Sequence, residues 1–171
     1  ADLTLAGEEV GDWAGYFASP AGDVNGDGLG DALVGAPMAG EKVCPYPLLP
    51  DGSCPGLPKG HGAAYLVLGR PRGDFPPGPL SLADADASFL GCDINSMTAR
   101  QLYAAGDVNG DGYDDFIVSG WKCGEAYTGK AYLFLGRPDV DSWGRFFPVE
   151  DADASFLGEN TWDFLSYYSS T

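Results

Sequence analysis

Histidine is nearly absent. His61 is the only one in 171 residues, so a histidine-dependent triad has a single possible base, and no nucleophile motif lies beside it. No Gly-x-Ser-x-Gly elbow occurs either. Positive charge is scarce: 9 Lys and Arg stand against 25 Asp and Glu, a formal charge of −16, which repels nucleic acid and anionic membrane surfaces. No apolar run approaches the roughly 18 residues that a spanning helix needs, so no membrane insertion is expected, and no charged-then-apolar leader opens the chain. Long stretches free of Gly and Pro are lacking too. The 26 Gly and 13 Pro disfavour long helices and favour an all-β chain rich in turns. A hydrophobic content of 44%, with 13% aromatic, still suffices for a core.

What the chain does have is one loop written twice. Asp23-Val24-Asn25-Gly26-Asp27-Gly28-Leu29-Gly30-Asp31 returns as Asp107-Val108-Asn109-Gly110-Asp111-Gly112-Tyr113-Asp114-Asp115. Oxygen-bearing side chains fall at positions one, three, five and nine, with glycine at position six, where a tightly wrapped loop needs a permissive backbone. This is the donor pattern of calcium, a hard cation that takes oxygen ligands. Two calcium sites are expected. Asp23, Asn25, Asp27, Asp31 and the Leu29 carbonyl form the first; Asp107, Asn109, Asp111, Asp115 and the Tyr113 carbonyl form the second. Asn-Gly and Asp-Gly also make hairpin turns without metal, but a turn does not need four spaced oxygen residues twice. An EF-hand would place Glu at position twelve, where Val34 and Val118 stand. The runs Ala32-Leu33-Val34 and Phe116-Ile117-Val118 are short, β-branched and bounded by glycine, so the loops are expected to join strands.

The cysteines number four, an even count that suggests a disulfide-permissive compartment, at spacings unlike those of a zinc site. Cys44 and Cys54 flank a Pro-rich loop that a bridge would pin, contributing ~2 to 3 kcal/mol. Cys92 and Cys123 are left to pair across the second repeat. Calcium loops of the affinity used by extracellular modules point the same way, and the protein reads as secreted or exposed on a cell surface.

Further self-similarity extends the repeat. Tyr65-Leu66-Val67-Leu68-Gly69-Arg70-Pro71 recurs as Tyr132-Leu133-Phe134-Leu135-Gly136-Arg137-Pro138, at a shorter spacing than the two loops. The first repeat therefore carries an insertion between Pro37 and Gly62. Asp84-Ala85-Asp86-Ala87-Ser88-Phe89-Leu90-Gly91 recurs unchanged from Asp151 to Gly158, and Asp2 to Gly7 is a weaker counterpart. The division expected is 1–84, with the Pro/Cys loop at about 38–61, then 85–151, then the start of a third repeat at 152–171. Each unit reads as strands near Gly15 to Ser19, Ala32 to Ala36 and Ala63 to Leu68, with a final extended piece near Leu80. A four-stranded sheet cannot bury both faces alone and must stack, as the blades of a β-propeller do.

These residues resemble the FG-GAP repeats of integrin α-subunit propellers and of bacterial surface and secreted proteins. The resemblance rests on the Asp-x-Asn-x-Asp-Gly-x-x-Asp loops, on Gly35-Ala36-Pro37 after the first of them, and on the Gly-x-x-Tyr-Leu-x-Leu-Gly endings at Gly62 to Gly69 and Gly129 to Gly136. The Phe-Gly pair aligns with Ala14-Gly15, Thr98-Ala99 and Leu165-Ser166, and Ser119-Gly120-Trp121 replaces Gly-Ala-Pro in the second repeat. The family implies antiparallel four-stranded blades of a calcium-binding propeller that mediates adhesion or ligand recognition without catalysis. About two and a half repeats make an incomplete ring, so the chain is expected either to be part of a longer propeller or to assemble as a homo-oligomer or filament.

Other readings compete with this one. A dockerin-like docking module uses similar loops but follows them with helices, which the strands after Val34 disfavour; an accessory domain of a secreted enzyme and a structural subunit of a homo-polymeric assembly also remain open. Arg72-Gly73-Asp74 is a triplet of the kind integrins recognise, though such triplets also arise by coincidence in polar loops. Trp13, Trp121, Trp143 and Trp162 are either blade core or a contact surface for carbohydrate or protein. The partner, a protein or a glycan, is not specified by these residues.

Overall fold

The computed structural model describes residues 3–40 and 60–160. The expected Cys44 to Cys54 bridge, most of the Pro-rich insertion and Trp162 lie outside those residues. The described chain is all-β, without an α-helix among the described residues. Its strands are β1 (Thr4–Ala6), β2 (Phe17–Gly22), β3 (Asp31–Ala36), β4 (Ala63–Val67), β5 (Pro79–Ser81), β6 (Ala87–Leu90), β7 (Thr98–Gly106), β8 (Asp115–Gly120), β9 (Lys130–Phe134), β10 (Phe147–Pro148) and β11 (Ala154–Leu157).

Two antiparallel blades emerge. Blade one runs β2-β3-β4-β6 and blade two runs β7-β8-β9-β11. In both, a bulge falls just before the duplicated loop, between Pro20 and Gly22 and between Ala104 and Gly106, which swings the chain out of the sheet. Pro20 is tolerated because β2 is an edge strand and need not donate outward.

The fourth strand differs from expectation. The piece near Leu80 does not close blade one; β5 pairs in parallel with β1, Leu5 opposite Leu80. The closing strand is β6, from the Asp-Ala-Asp-Ala-Ser-Phe-Leu segment that the sequence division assigns to the next repeat. In the same way β10 crosses from blade two to pair in parallel with β6, Phe147 opposite Phe89. A short apolar run shows that a strand forms but not which edge it joins: β5 meets β1 in a separate pair, and β10 meets the edge of blade one.

Alternation along the strands divides the core in two. Leu33, Ala64, Leu66, Ala87 and Phe89 turn to one face of blade one and meet Phe116, Val118, Tyr132 and Phe134 of blade two. Val34, Ala63, Tyr65 and Val67 turn to the other face, against Leu5 and Leu80 of the β1–β5 pair. Phe89, Phe116, Phe134, Trp143 and Phe147 form an aromatic cluster across the seam, with centroids 4.5 Å apart for Phe89 and Phe134 and 5.3 Å for Phe116 and Phe134. Trp143 is thus blade core.

The Cys92–Cys123 disulfide is formed, its Cα atoms 6.0 Å apart across a sequence separation of 31. It ties the segment entering β7 to the segment leaving β8, at the end of blade two away from its duplicated loop.

Candidate metal centres in the two hairpin loops

Each duplicated loop joins the first two strands of its blade, β2 to β3 and β7 to β8. The expected donors hold both loops in the same conformation. Asp23 Oδ1 accepts from the Asp27 amide (3.0 Å) and Oδ2 from the Gly28 amide (2.9 Å). Asp107 does the same with Asp111 (3.1 Å) and Gly112 (2.9 Å), and its Oδ1 also accepts from Gly110 (2.7 Å). Asn25 and Asn109 accept from the amides of Asp27 and Asp111 through Oδ1 and donate to their carboxylates through Nδ2. Asp27 and Asp111 accept from the amides of Leu29 and Tyr113. The position-six glycines, Gly28 and Gly112, have φ of 86° and 94°, a region that L side chains enter at a cost.

The ninth residue reaches further. Asp31 is buried and accepts from Val24 N at 2.8 Å and from Gly69 N at 2.7 Å. Asp115, also buried, accepts from Val108 N and Gly136 N, both at 2.8 Å. One carboxylate thus ties the loop's start to the end of the third strand, which explains why the Tyr-Leu-x-Leu-Gly ending travels with the loop.

Two of these carboxyls are pushed in opposite directions. Burial pushes the Asp31 carboxyl above the ordinary carboxylate range; the Gly69 and Val24 amides offset part of this, and the charges of Asp27 and Asp23 add to it. Asp107 lies in solvent, and the Gly112 amide, with those of Gly110 and Asp111, holds its carboxyl below that range.

The donor set fits a divalent cation in kind: three carboxylates, a side-chain amide oxygen and a backbone carbonyl per loop, all hard oxygens. As they stand, no three acidic, His or Cys side chains among the described residues are drawn together tightly enough to hold a metal. The carboxylates hold the loop amides, and an oxygen that accepts one such bond keeps a second lone pair; Asp107 Oδ1, which accepts two, is the exception.

One residue outside the donor pattern proves central. Asp114 of blade two clasps loop one: its carboxylate accepts from the Asp23 amide (2.8 Å), while its own amide donates to the Asp23 carbonyl (2.9 Å). The Arg137 amide donates to the Val24 carbonyl (2.9 Å), and the Tyr113 ring packs over Gly26. Gly22 permits this approach, since a Cβ there would collide with the Asp114 carboxylate. Val24 is consequently 0% exposed, whereas its equivalent Val108 is 54% exposed. The only hint in sequence is that Gly30 of loop one becomes Asp114 in loop two.

A second overlooked pair repeats faithfully. Asp86 accepts from the Leu68 amide (2.8 Å) and pairs with Arg70; Asp153 accepts from the Leu135 amide (2.9 Å) and pairs with Arg137 (2.8 Å). These bonds fasten the repeated Asp-Ala-Asp-Ala segment to the repeated Gly-Arg-Pro, and account for both as structure. His61 Nδ1 lies 3.3 Å from the Gly91 carbonyl. Arg72-Gly73-Asp74 sits on an exposed turn closed by the Asp74 amide on the Pro71 carbonyl (2.9 Å).

Comparison with known proteins matches the FG-GAP repeat to residues 14–47 and 104–134. The chain is 30% identical over 135 residues to integrin alpha-IIb of Mus musculus, covering 79% of this chain and 11% of that protein. It is 31% identical over 140 residues to integrin alpha-PS2 of Drosophila melanogaster, covering 80% and 9%. To integrin alpha pat-2 of Caenorhabditis elegans it is 26% identical over 165 residues, covering 92% and 11%. The chain spans about a tenth of the length of these relatives.

Proposed function

The chain belongs to the FG-GAP repeat family, and on that premise we propose that it is a non-catalytic, calcium-stabilised β-propeller segment used outside the cell for adhesion or ligand recognition. The observation that carries the reading is the duplication. Two loops with the same oxygen donors, at the same place in two blades, repeat their backbone geometry down to individual amide bonds. Asp23, Asn25, Asp27, Asp31 and the Leu29 carbonyl would hold one ion; Asp107, Asn109, Asp111, Asp115 and the Tyr113 carbonyl would hold the other. Calcium supplies a divalent charge that lets neighbouring carboxylates stay ionised side by side. The upward push on Asp31 from Asp23 and Asp27 is the kind of repulsion such a charge relieves. The adhesive role follows from the family resemblance; the Cys92–Cys123 bridge and the net charge of −16 suit an oxidising, extracellular setting. No helix among the described residues is long and apolar enough to cross a membrane.

The test is calorimetric titration of the calcium-free protein. Two equivalents of calcium should bind, and Asp27→Ala and Asp111→Ala should each abolish one. No uptake, or uptake unchanged by both substitutions, would overturn the reading.

A second reading, a structural subunit of a homo-polymeric assembly, is favoured by one feature. Phe89 on β6 is 0% exposed beneath β10 and blade two, whereas its equivalent Phe156 on β11 is 53% exposed. An open sheet edge with apolar side chains is a surface on which another blade pairs. Light scattering that finds a well-folded monomer at every concentration removes this reading.

A further inference from the structure

The two duplicated loops are joined across the seam by a stretch that belongs to both. Tyr113, Asp114 and Asp115 are consecutive. The Tyr113 carbonyl and the Asp115 carboxylate are expected donors of loop two. Asp114, between them, takes the Asp23 amide on its carboxylate (2.8 Å) and gives its own amide to the Asp23 carbonyl (2.9 Å). Asp23 is the first donor of loop one, and the Tyr113 ring packs over Gly26 of that loop. Three residues thus line loop two and grip loop one.

A second connection runs through the main chain. Asp31, the last donor of loop one, accepts from the Val24 amide (2.8 Å), and the Val24 carbonyl accepts from the Arg137 amide (2.9 Å). Gly136, one residue earlier, donates its amide to Asp115, the last donor of loop two (2.8 Å). The ninth-position carboxylates of the two loops are therefore the ends of one line, with only backbone groups between them. That line is closely packed: a Cβ on Gly136 would collide with the Val24 and Asp114 carbonyls, and one on Gly22 with the Asp114 carboxylate. Cohesion of the blades does not call for such bonds, because the cluster of Phe89, Phe116 and Phe134 already supplies it. What they add is a connection from the donors of one loop to the donors of the other.

We infer that the two calcium sites are linked: filling loop two raises the affinity of loop one, and filling loop one raises that of loop two by the same factor. The physical reason is shared order. Whatever fixes the Tyr113 carbonyl and the Asp115 carboxylate also fixes Asp114 between them. The Asp23 amide and carbonyl then meet partners already in place, and less conformational freedom is left to lose when loop one is filled. Linkage of this kind is reciprocal by thermodynamic necessity. Repulsion between two cations opposes it. Each loop, however, carries a surplus of carboxylate in a chain of net charge −16, so a bound cation neutralises more than it repels, and salt screens what remains. The inference rests on the calcium reading of both loops and deepens it, because the seam becomes part of the calcium response and narrows the concentration range over which the segment responds.

The experiment follows the amide resonances of Gly28 and Gly112 while the isotope-labelled intact chain is titrated with calcium. Each amide donates to the first donor of its own loop, which gives one reporter per site. In Asp111→Ala, which disables loop two, the midpoint read by Gly28 should rise about fivefold, the lower end of ordinary coupling between sites. In Asp27→Ala the midpoint read by Gly112 should rise by a like factor. Asp114→Ala should separate the sites: in that background, adding Asp111→Ala should move the Gly28 midpoint by less than about twofold. A merely structural role for Asp114 would weaken loop one whether or not loop two is filled, and would leave that factor as it was. Circular dichroism of each calcium-loaded variant checks that the blades are intact. Should a variant fail to fold, the unaltered chain still decides, since linked sites fill over a narrower range of calcium than independent sites permit. The linkage is overturned if the Gly28 midpoint is indifferent to Asp111→Ala, if the effect runs in one direction only, or if it survives the loss of Asp114. If neither resonance moves with calcium, the calcium reading falls and the linkage with it; if both move independently, the linkage alone falls.

Discussion

Loops 23–31 and 107–115 begin with the same six residues and fold to the same hydrogen-bonded shape, yet they stand in different surroundings. Loop one is closed from outside: Asp114 holds the Asp23 amide and carbonyl, Tyr113 covers Gly26 and the Arg137 amide caps Val24. Among the described residues, nothing takes the corresponding place on loop two, and Val108 is exposed. The same contrast runs through the blades. β4 is buried along its whole length, while β9 alternates between buried and half-buried and β11 is exposed throughout. The same six opening residues thus yield a clasped loop where a second blade packs on them and, among the described residues, an open one where none does.

The sharpest way to break the comparison is at the equivalent phenylalanines. Phe89→Ala removes a ring packed against Phe116, Phe134 and Trp143 and should cost about 3 to 5 kcal/mol. Phe156→Ala, at an exposed site, should stay within about 0.5 kcal/mol. Urea unfolding measures both, and equal losses would show that the two blade faces are not as different as their exposure implies.

Next in size is the disulfide. Replacing Cys92 and Cys123 by Ser releases a loop of 31 residues and should cost about 3 to 4 kcal/mol, seen as a lowered Tm. Because the bridge lies away from both loops, calcium stoichiometry should stay at two.

Calcium removal comes third. At a hundredfold excess over Kd each bound ion adds about 2.7 kcal/mol, so a chelator should lower Tm measurably, and Asp27→Ala and Asp111→Ala should each remove about half of that shift. A melting curve indifferent to chelator would contradict the proposed sites.

The smallest effect probes the clasp itself. Asp114→Ala leaves the Asp23 amide without its carboxylate and should cost about 1 to 3 kcal/mol. It should weaken calcium binding at loop one, by way of the loosened Asp23, more than at loop two. Greater weakening at loop two would mean that Asp114 acts on its own loop and not on its neighbour's.

Much of this protein was legible in its residues. The donor spacing identified the loops, and the runs after them marked β3 and β8. The Tyr-Leu-x-Leu repeats marked β4 and β9, because a short, continuous apolar run closed by glycine reads as a buried strand. The Cys92–Cys123 pairing was also legible. The fourth strand was misplaced at Leu80, since Leu80 and Phe89 lie in equally short apolar segments and differ only in the edge they meet. Asp114 went unread because its partner is the backbone of Asp23, and a main-chain amide leaves no mark in a side-chain pattern.

By itself the sequence determined what each unit is: an all-β blade with an oxygen-lined hairpin loop, specified by contacts between residues close along the chain. Only the tertiary structure decided that the two units are unequal. Burial of Val24 and Phe89, the crossing of β5 and β10 to other sheets, and the clasp of Asp114 on Asp23 all depend on which surface packs against which. Hydrophobic burial and hydrogen bonding across a seam are set by neighbours far apart in the chain, so two copies of one sequence acquire different environments.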